Sequence, residues 1–77
     1  MKTARELDLL LIRKLIEKLG DKDPRVRRNA TGALRMQGTK AAGAVPAISR
    51  LLDDEDPRVR REAEQAIEQL TPVAIRA

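Results

Sequence analysis

The hexapeptide Asp23-Pro24-Arg25-Val26-Arg27-Arg28 recurs unchanged as Asp56-Pro57-Arg58-Val59-Arg60-Arg61, thirty-three residues further along. In a chain of 77 residues, an echo at that period constrains the architecture more than any other feature. Each copy reads as one supersecondary unit, and such units bury their apolar faces by stacking on one another. The same shift lays Leu19 on Leu52, Asp21 on Asp54, Ala30 on Ala63, Ala33 on Ala66 and Leu34 on Ile67. A stack of repeats offers surface more readily than a reaction chamber, so the echo speaks to shape before it speaks to chemistry.

The matched positions are those a helical hairpin requires. Asp23 and Asp56 stand where an N-cap belongs, each followed by a proline at the first helical position, where a missing N–H costs nothing. Beyond them, Val26, Ala30, Ala33 and Leu34, and likewise Val59, Ala63, Ala66, Ile67 and Leu70, recur at helical spacing. These stripes predict second helices over about 24–36 and 57–70. The preceding segments are more apolar. Leu7, Leu10, Leu11, Ile12, Leu15, Ile16 and Leu19 predict a helix over about 4–19, and Val45, Ile48, Leu51 and Leu52 one over about 42–52. Turns are expected at Gly20–Asp23, Gly38–Lys40 and Asp53–Asp56. Thr71-Pro72 resembles one more helix start, so 71–77 is expected to be a cap or a partial repeat.

Composition limits the chemistry. The chain holds no Cys, His, Phe, Tyr or Trp, which removes disulfides, thiolate metal sites and the commonest general acid–base side chain. Its core must be built from Leu, Ile, Val, Ala and Met, which suits closely approaching helices. Ser49 is the only serine and has no base near it in sequence, so no enzyme is expected. No cofactor or metal is expected either. Asp53-Asp54-Glu55-Asp56 is dense in carboxylates but lacks the length, glycine and terminal Glu of a calcium loop. Gly38-Thr39-Lys40 lacks the order of a phosphate loop and follows no strand. The apolar run from Leu7 to Leu19 is interrupted by five charged residues, and no signal-peptide pattern is visible; a cytoplasmic location is the default expectation, with no membrane contact. The net charge of +4 is uneven: residues 1–40 hold eleven Lys and Arg against five Asp and Glu, and residues 41–77 hold five against seven.

The second unit resembles HEAT repeats, in the short HEAT-like or phycobilisome-lyase-type variety. The resemblance is carried by Ala44-Val45-Pro46-Ala47-Ile48, Leu51-Leu52, Asp54, Asp56-Pro57, Val59-Arg60, Ala63 and Ala66-Ile67. Pro46, Asp54 and Arg60 stand at the family's hallmark spacing of a proline, an Asp eight residues on and an Arg six beyond it. The first unit supplies Asp21 and Arg27 but has Arg13 in place of the proline, so its first helix is expected to run straighter. The resemblance implies an all-α fold, a right-handed α-solenoid of two HEAT-like helical hairpins with a short C-terminal cap segment. The chain is then one domain over 1–77, with a first repeat over about 5–37 and a second over about 42–70.

On this reading Asp21, Asp23, Pro24 and Arg27, with Asp54, Asp56, Pro57 and Arg60, are structural. The Asp-Pro pairs start helices, and the resemblance implies a ladder in which Arg27 and Arg60 reach Asp21 or Asp54 of their own or a neighbouring turn, with Asp54 expected to pair with Arg60. Met36 is expected to fill a gap near the repeat junction. With Val26, Ala30 and Ala33 inward, Arg28, Thr31 and Arg35, and their counterparts Arg61, Glu64 and Glu68, fall on the other side. The resemblance makes that side the exposed inner surface and the candidate interaction face. Leu9, Leu10, Ile12 and Ile16 cannot all point inward at one partner helix, so part of this apolar face is expected to stay exposed.

The function expected is a small non-catalytic scaffold that binds another protein or itself, as a homodimer or docked on a larger assembly. The alternative is a nucleic-acid-associated protein using the basic first half, although no aromatic residue is present to stack a base.

Overall fold

The structure is a computed structural model and describes residues 1–71. Four α-helices follow one another: α1 (Ala4–Lys18), α2 (Pro24–Met36), α3 (Val45–Ser49) and α4 (Pro57–Leu70), with 3-10 turns over Gly38–Ala44 and Arg50–Asp53 flanking α3. No strand occurs among the described residues. The fold is all-α, two helical hairpins stacked side by side.

The starts of α2 and α4 are built alike. Asp23 and Asp56 accept from the backbone N–H of Arg25 and Arg58, each at 2.8 Å, with proline opening the helix behind them. α1 starts on Thr3, whose hydroxyl accepts from the Glu6 N–H at 3.2 Å.

The two first helices differ. α1 is continuous for 15 residues, whereas its counterpart, expected as one helix over about 42–52, is broken into 3-10, α and 3-10 pieces. Pro46 explains the break. Its ring carries no N–H and excludes the carbonyl four residues back, so the α-helix begins at Val45, with Pro46 in its first turn. At the other end Ser49 Oγ donates to the Val45 carbonyl at 2.8 Å, a local bond that competes with the regular ladder just where the chain tightens to 3-10. Gly38–Lys40, expected as a simple turn, opens the longer 3-10 stretch from Gly38, whose φ of +67° favours glycine.

α2 packs most extensively on α4 and next on α1, while α3 and both 3-10 segments pack on α4. The core between them contains Leu34, Ile48, Val59 and Leu70, all fully buried, with Ala30, Ala41, Ala44, Ala63 and Ala66 letting the backbones approach. The two hairpins therefore cover each other on one side, and the opposite face of each has no neighbouring helix among the described residues. Leu7, Leu9, Leu10 and Leu11 remain exposed on α1, whereas Ile12 is buried and Ile16 half-buried. Met36, expected to fill a gap at the junction, is 81% exposed; the last turn of α2 runs past the core, which small alanines already close. The segment expected as a C-terminal cap lies outside the described residues apart from Thr71, whose N–H donates to the Ile67 carbonyl at 3.0 Å.

Candidate functional site

Two features of the α2–α4 interface organise the molecule's surface: an arginine–carboxylate rung at one end and a groove along one side.

The rung joins the repeats. Arg27 donates from Nε to Asp54 Oδ2 at 2.8 Å and from Nη2 to Asp54 Oδ1 at 3.0 Å, a two-pronged contact between planar groups. Its Nη1 donates to the backbone carbonyls of Asp21 and Lys22 at 2.8 and 3.0 Å, so the guanidinium also closes its own turn. The Asp54 carboxylate further accepts the Asp56 N–H at 2.9 Å. Both side chains are largely covered, at 10% and 7% exposed, so neither has water to replace the other. The hydrogen bond from Arg27, helped by the Asp56 N–H, holds the Asp54 carboxyl below its ordinary value of 3.8 against the opposing effect of burial.

The sequence left the ladder open to a turn of the same or the neighbouring repeat and favoured Arg60 for Asp54; the structure gives the Asp54 carboxylate to Arg27 of the preceding repeat. The reason is reach. Arg60 follows Asp54 by six residues and folds back so that its Nη1 donates to the Asp54 backbone carbonyl rather than to its carboxylate. The Asp21 carboxylate holds the equivalent turn in the first repeat, accepting the Asp23 N–H at 2.8 Å, and among the described residues it meets no arginine.

The groove lies between the exposed faces of α2 and α4, about 600 Å³ in volume, and is lined by Arg28, Asn29, Gly32 and Arg35 of α2 and by Arg58, Arg61, Glu62 and Gln65 of α4, among others. Of the residues proposed from sequence for an interaction face, it brings together Arg28, Arg35 and Arg61. Arg35 is half-buried and meets Glu62 at 3.3 Å. Arg58 reaches back to the Asp56 carboxylate at 3.2 Å. Among the described residues, Arg28 and Arg61 have no carboxylate within ion-pair distance. Glu64 and Glu68 are exposed on α4 outside the groove lining.

Thr31 does not belong to this face. It is fully buried and donates its hydroxyl to the Arg27 carbonyl at 2.8 Å. A helix packed on two neighbours buries a wider arc than the single stripe read from Val26, Ala30 and Ala33, and Thr31 falls within that arc. Its hydroxyl satisfies itself on its own helix, so burial leaves no unpaired group. Sequence reasoning also missed Glu62 and Gly32. A Cβ on Gly32 would lie 2.7 Å from Glu62 Oε1, so this glycine makes room for the carboxylate that neutralises Arg35. The signal available was a glycine inside an amphipathic helix, opposite Gln65 in the repeat alignment.

Stacked helical hairpins joined by an Asp–Arg rung across a buried aliphatic interface define an α-solenoid. The family model for HEAT repeats matches residues 12–75, most of the chain. This chain belongs to the HEAT repeat family. Comparison with curated proteins and with solved structures gave no match. HEAT repeats generally mediate protein–protein interaction and are typically non-catalytic. Among the described residues no helix is long and apolar enough to cross a membrane.

Proposed function

We propose that this chain is a non-catalytic interaction module that binds an acidic segment of a partner protein in the groove between α2 and α4. The observation that carries the reading is the placement of Arg28 and Arg61, two cations in one concavity without a carboxylate within 4.0 Å among the described residues. An arginine fork recognises carboxylates by geometry as well as charge, and a concave wall strengthens both. Arg35 and Arg58 line the same groove but are each already paired with a carboxylate, which leaves Arg28 and Arg61 to meet an acidic segment. The side chains available also argue against catalysis, because the chain has no His, Cys or Tyr.

A nucleic-acid partner is less well supported. Glu62 sits inside the groove, Glu64 and Glu68 stand outside it on the same helix, and no aromatic side chain exists to stack a base.

The test is a titration of the chain against a fluorescent Glu- and Asp-rich peptide and, separately, against labelled single-stranded DNA, at low and moderate salt. Saturable peptide binding that weakens with salt and is lost in the Arg28→Glu/Arg61→Glu double variant is the expected result. Peptide binding unchanged by that variant overturns the groove assignment. DNA binding without peptide binding replaces this reading with the nucleic-acid one.

A further inference from the structure

The rung between Arg27 and Asp54 occurs in the molecule once complete and twice as a half. Arg60 is seated as Arg27 is: its Nη1 donates to the carbonyl of Asp54, as that of Arg27 donates to the carbonyl of Asp21. Among the described residues no carboxylate meets the guanidinium edge that Arg27 uses on Asp54. At the other end Asp21 is seated as Asp54 is, with Oδ1 on the N–H two residues ahead, at 2.8 Å against 2.9 Å. Among the described residues its carboxylate meets no arginine.

The apolar surface repeats this division. Ile48, Val59 and Ala66 are fully buried. Their first-repeat equivalents Leu15, Val26 and Ala33 are half-buried and, with Lys18 and Asn29, line an open depression of about 310 Å³. The face of α2 that meets the second repeat carries Arg27, Thr31, Leu34 and Arg35, and the same positions of α4 are Arg60, Glu64, Ile67 and Glu68. Thus, among the described residues, the outer faces of the two hairpins are variants of the two surfaces that already meet between them.

We propose that copies of this chain stack head to tail, with Arg60 of one copy closing on Asp21 of the next and Ile67 covering the depression at Val26. Charge favours a second copy as the occupant. The inner interface has the neutral Thr31 and Leu51 where the outer ends have Glu64 and Lys18, so the last end is acidic beside its arginine and the first end basic beside its aspartate. Opposite signs therefore meet at both places when the ends join. A contact between two different surfaces does not close on itself, so it produces linear stacks whose length grows with concentration. Exposed charges at its rim make it weak and salt-sensitive.

Sedimentation velocity on the full chain, from micromolar to millimolar concentration at low ionic strength, tests the proposal. The expected result is a sedimentation coefficient that climbs past the dimer value and falls back on adding salt. Arg60→Asp and Asp21→Arg should each weaken association by about tenfold or more, with helical circular dichroism retained. An equimolar mixture of the two variants, or both changes in one chain, should restore it, because the opposite charges again face each other. Should either reversal unfold the chain, Arg60→Gln and Asp21→Asn carry the same expectation of weakened association. A wild-type monomer at every concentration, growth that stops at a dimer, or a mixture that fails to recover each overturns head-to-tail stacking. Because the Arg28→Glu/Arg61→Glu variant leaves both ends untouched, it should associate as wild type does, so loss of peptide binding and loss of stacking are read independently.

Discussion

Arg27 and Asp54 are twenty-seven residues apart in sequence, yet the guanidinium meets both oxygens of the carboxylate, at 2.8 and 3.0 Å. One contact thereby fixes the register of the second hairpin on the first, because the arginine also holds the Asp21 and Lys22 carbonyls of its own turn. The pair is desolvated, so its net effect on stability is a difference between large terms, and what it supplies most surely is specificity of stacking. Removing one partner is another matter, since the charge left behind stays covered.

Asp54→Ala is therefore expected to lower the melting temperature by on the order of 10 °C. Replacing both partners together, as Arg27→Met with Asp54→Leu, should recover much of that loss, since neither charge is then stranded. Arg60→Met should cost clearly less than Arg27→Met, because Arg60 gives up a backbone hydrogen bond and no carboxylate. Thermal melts of the four variants followed by circular dichroism check the ranking.

Acid should unfold the chain from a known direction. The carboxyls of Asp23, Asp54 and Asp56 all lie below their ordinary value of 3.8, held there first by side-chain hydrogen bonds from Arg25, Arg27 and Arg58 respectively. A carboxyl whose folded value is depressed contributes stability that is fully present above the unfolded value and is lost as pH falls through the folded one. With no histidine in the chain, stability should stay nearly flat between about pH 5 and 8 and decline below about pH 4. Urea melts across that range should show Asp54→Asn less stable than wild type at neutral pH and converging on it in acid. A difference that persists undiminished in acid would refute the linkage.

Much of this was legible in the sequence, and the parts that were not share a cause. The boundaries of α2 and α4 follow from Asp-Pro, whose effect lies within one turn. Repeat number and helix order follow from the echo of that motif. The contrast between the straight α1 and its broken counterpart follows from Arg13 standing where the second repeat has Pro46, but the 3-10 pieces on either side of α3 leave no mark in a periodic apolar pattern. Thr31 was misplaced because the second repeat buries it, and Asp54 because the arginine it takes comes from the first repeat. An alignment of repeats shows what two positions share, but it cannot show that a helix with neighbours on both sides buries a wider arc than one at an end. Arg28 and Arg61, whose environment is set mainly by their own helix face, both line the groove.

Gly32 tests how closely α2 and α4 approach. A methyl there meets only the mobile end of Glu62, so Gly32→Ala should swing that carboxylate off Arg35 and leave the backbones where they are. The helix gains about 1 kcal/mol in propensity, and a partly exposed ion pair loses about 0.5 kcal/mol. A slightly raised melting temperature is expected. The freed Arg35 should also tighten binding of the acidic peptide, an effect that fluorescence titration would resolve. A marked fall in stability would mean that the helices themselves had been forced apart.

Val26 and Val59 sit in identical hexapeptides, and only the stacking of the repeats distinguishes them. Val59 lies between α2 and the second hairpin's first segment with no exposed surface, while Val26 borders the open depression and is half-buried. Val59→Ala removes buried methyl groups and leaves a void, at about 2 kcal/mol, whereas Val26→Ala should cost about 1 kcal/mol or less. Measured in dilute solution, the melting temperature of Val59→Ala should therefore fall at least twice as far. At high concentration the two should draw together if α4 of a neighbouring copy covers Val26, because the second methyl deletion then also opens a void. Parallel melts at both concentrations separate the contribution of position within one chain from that of contact between chains.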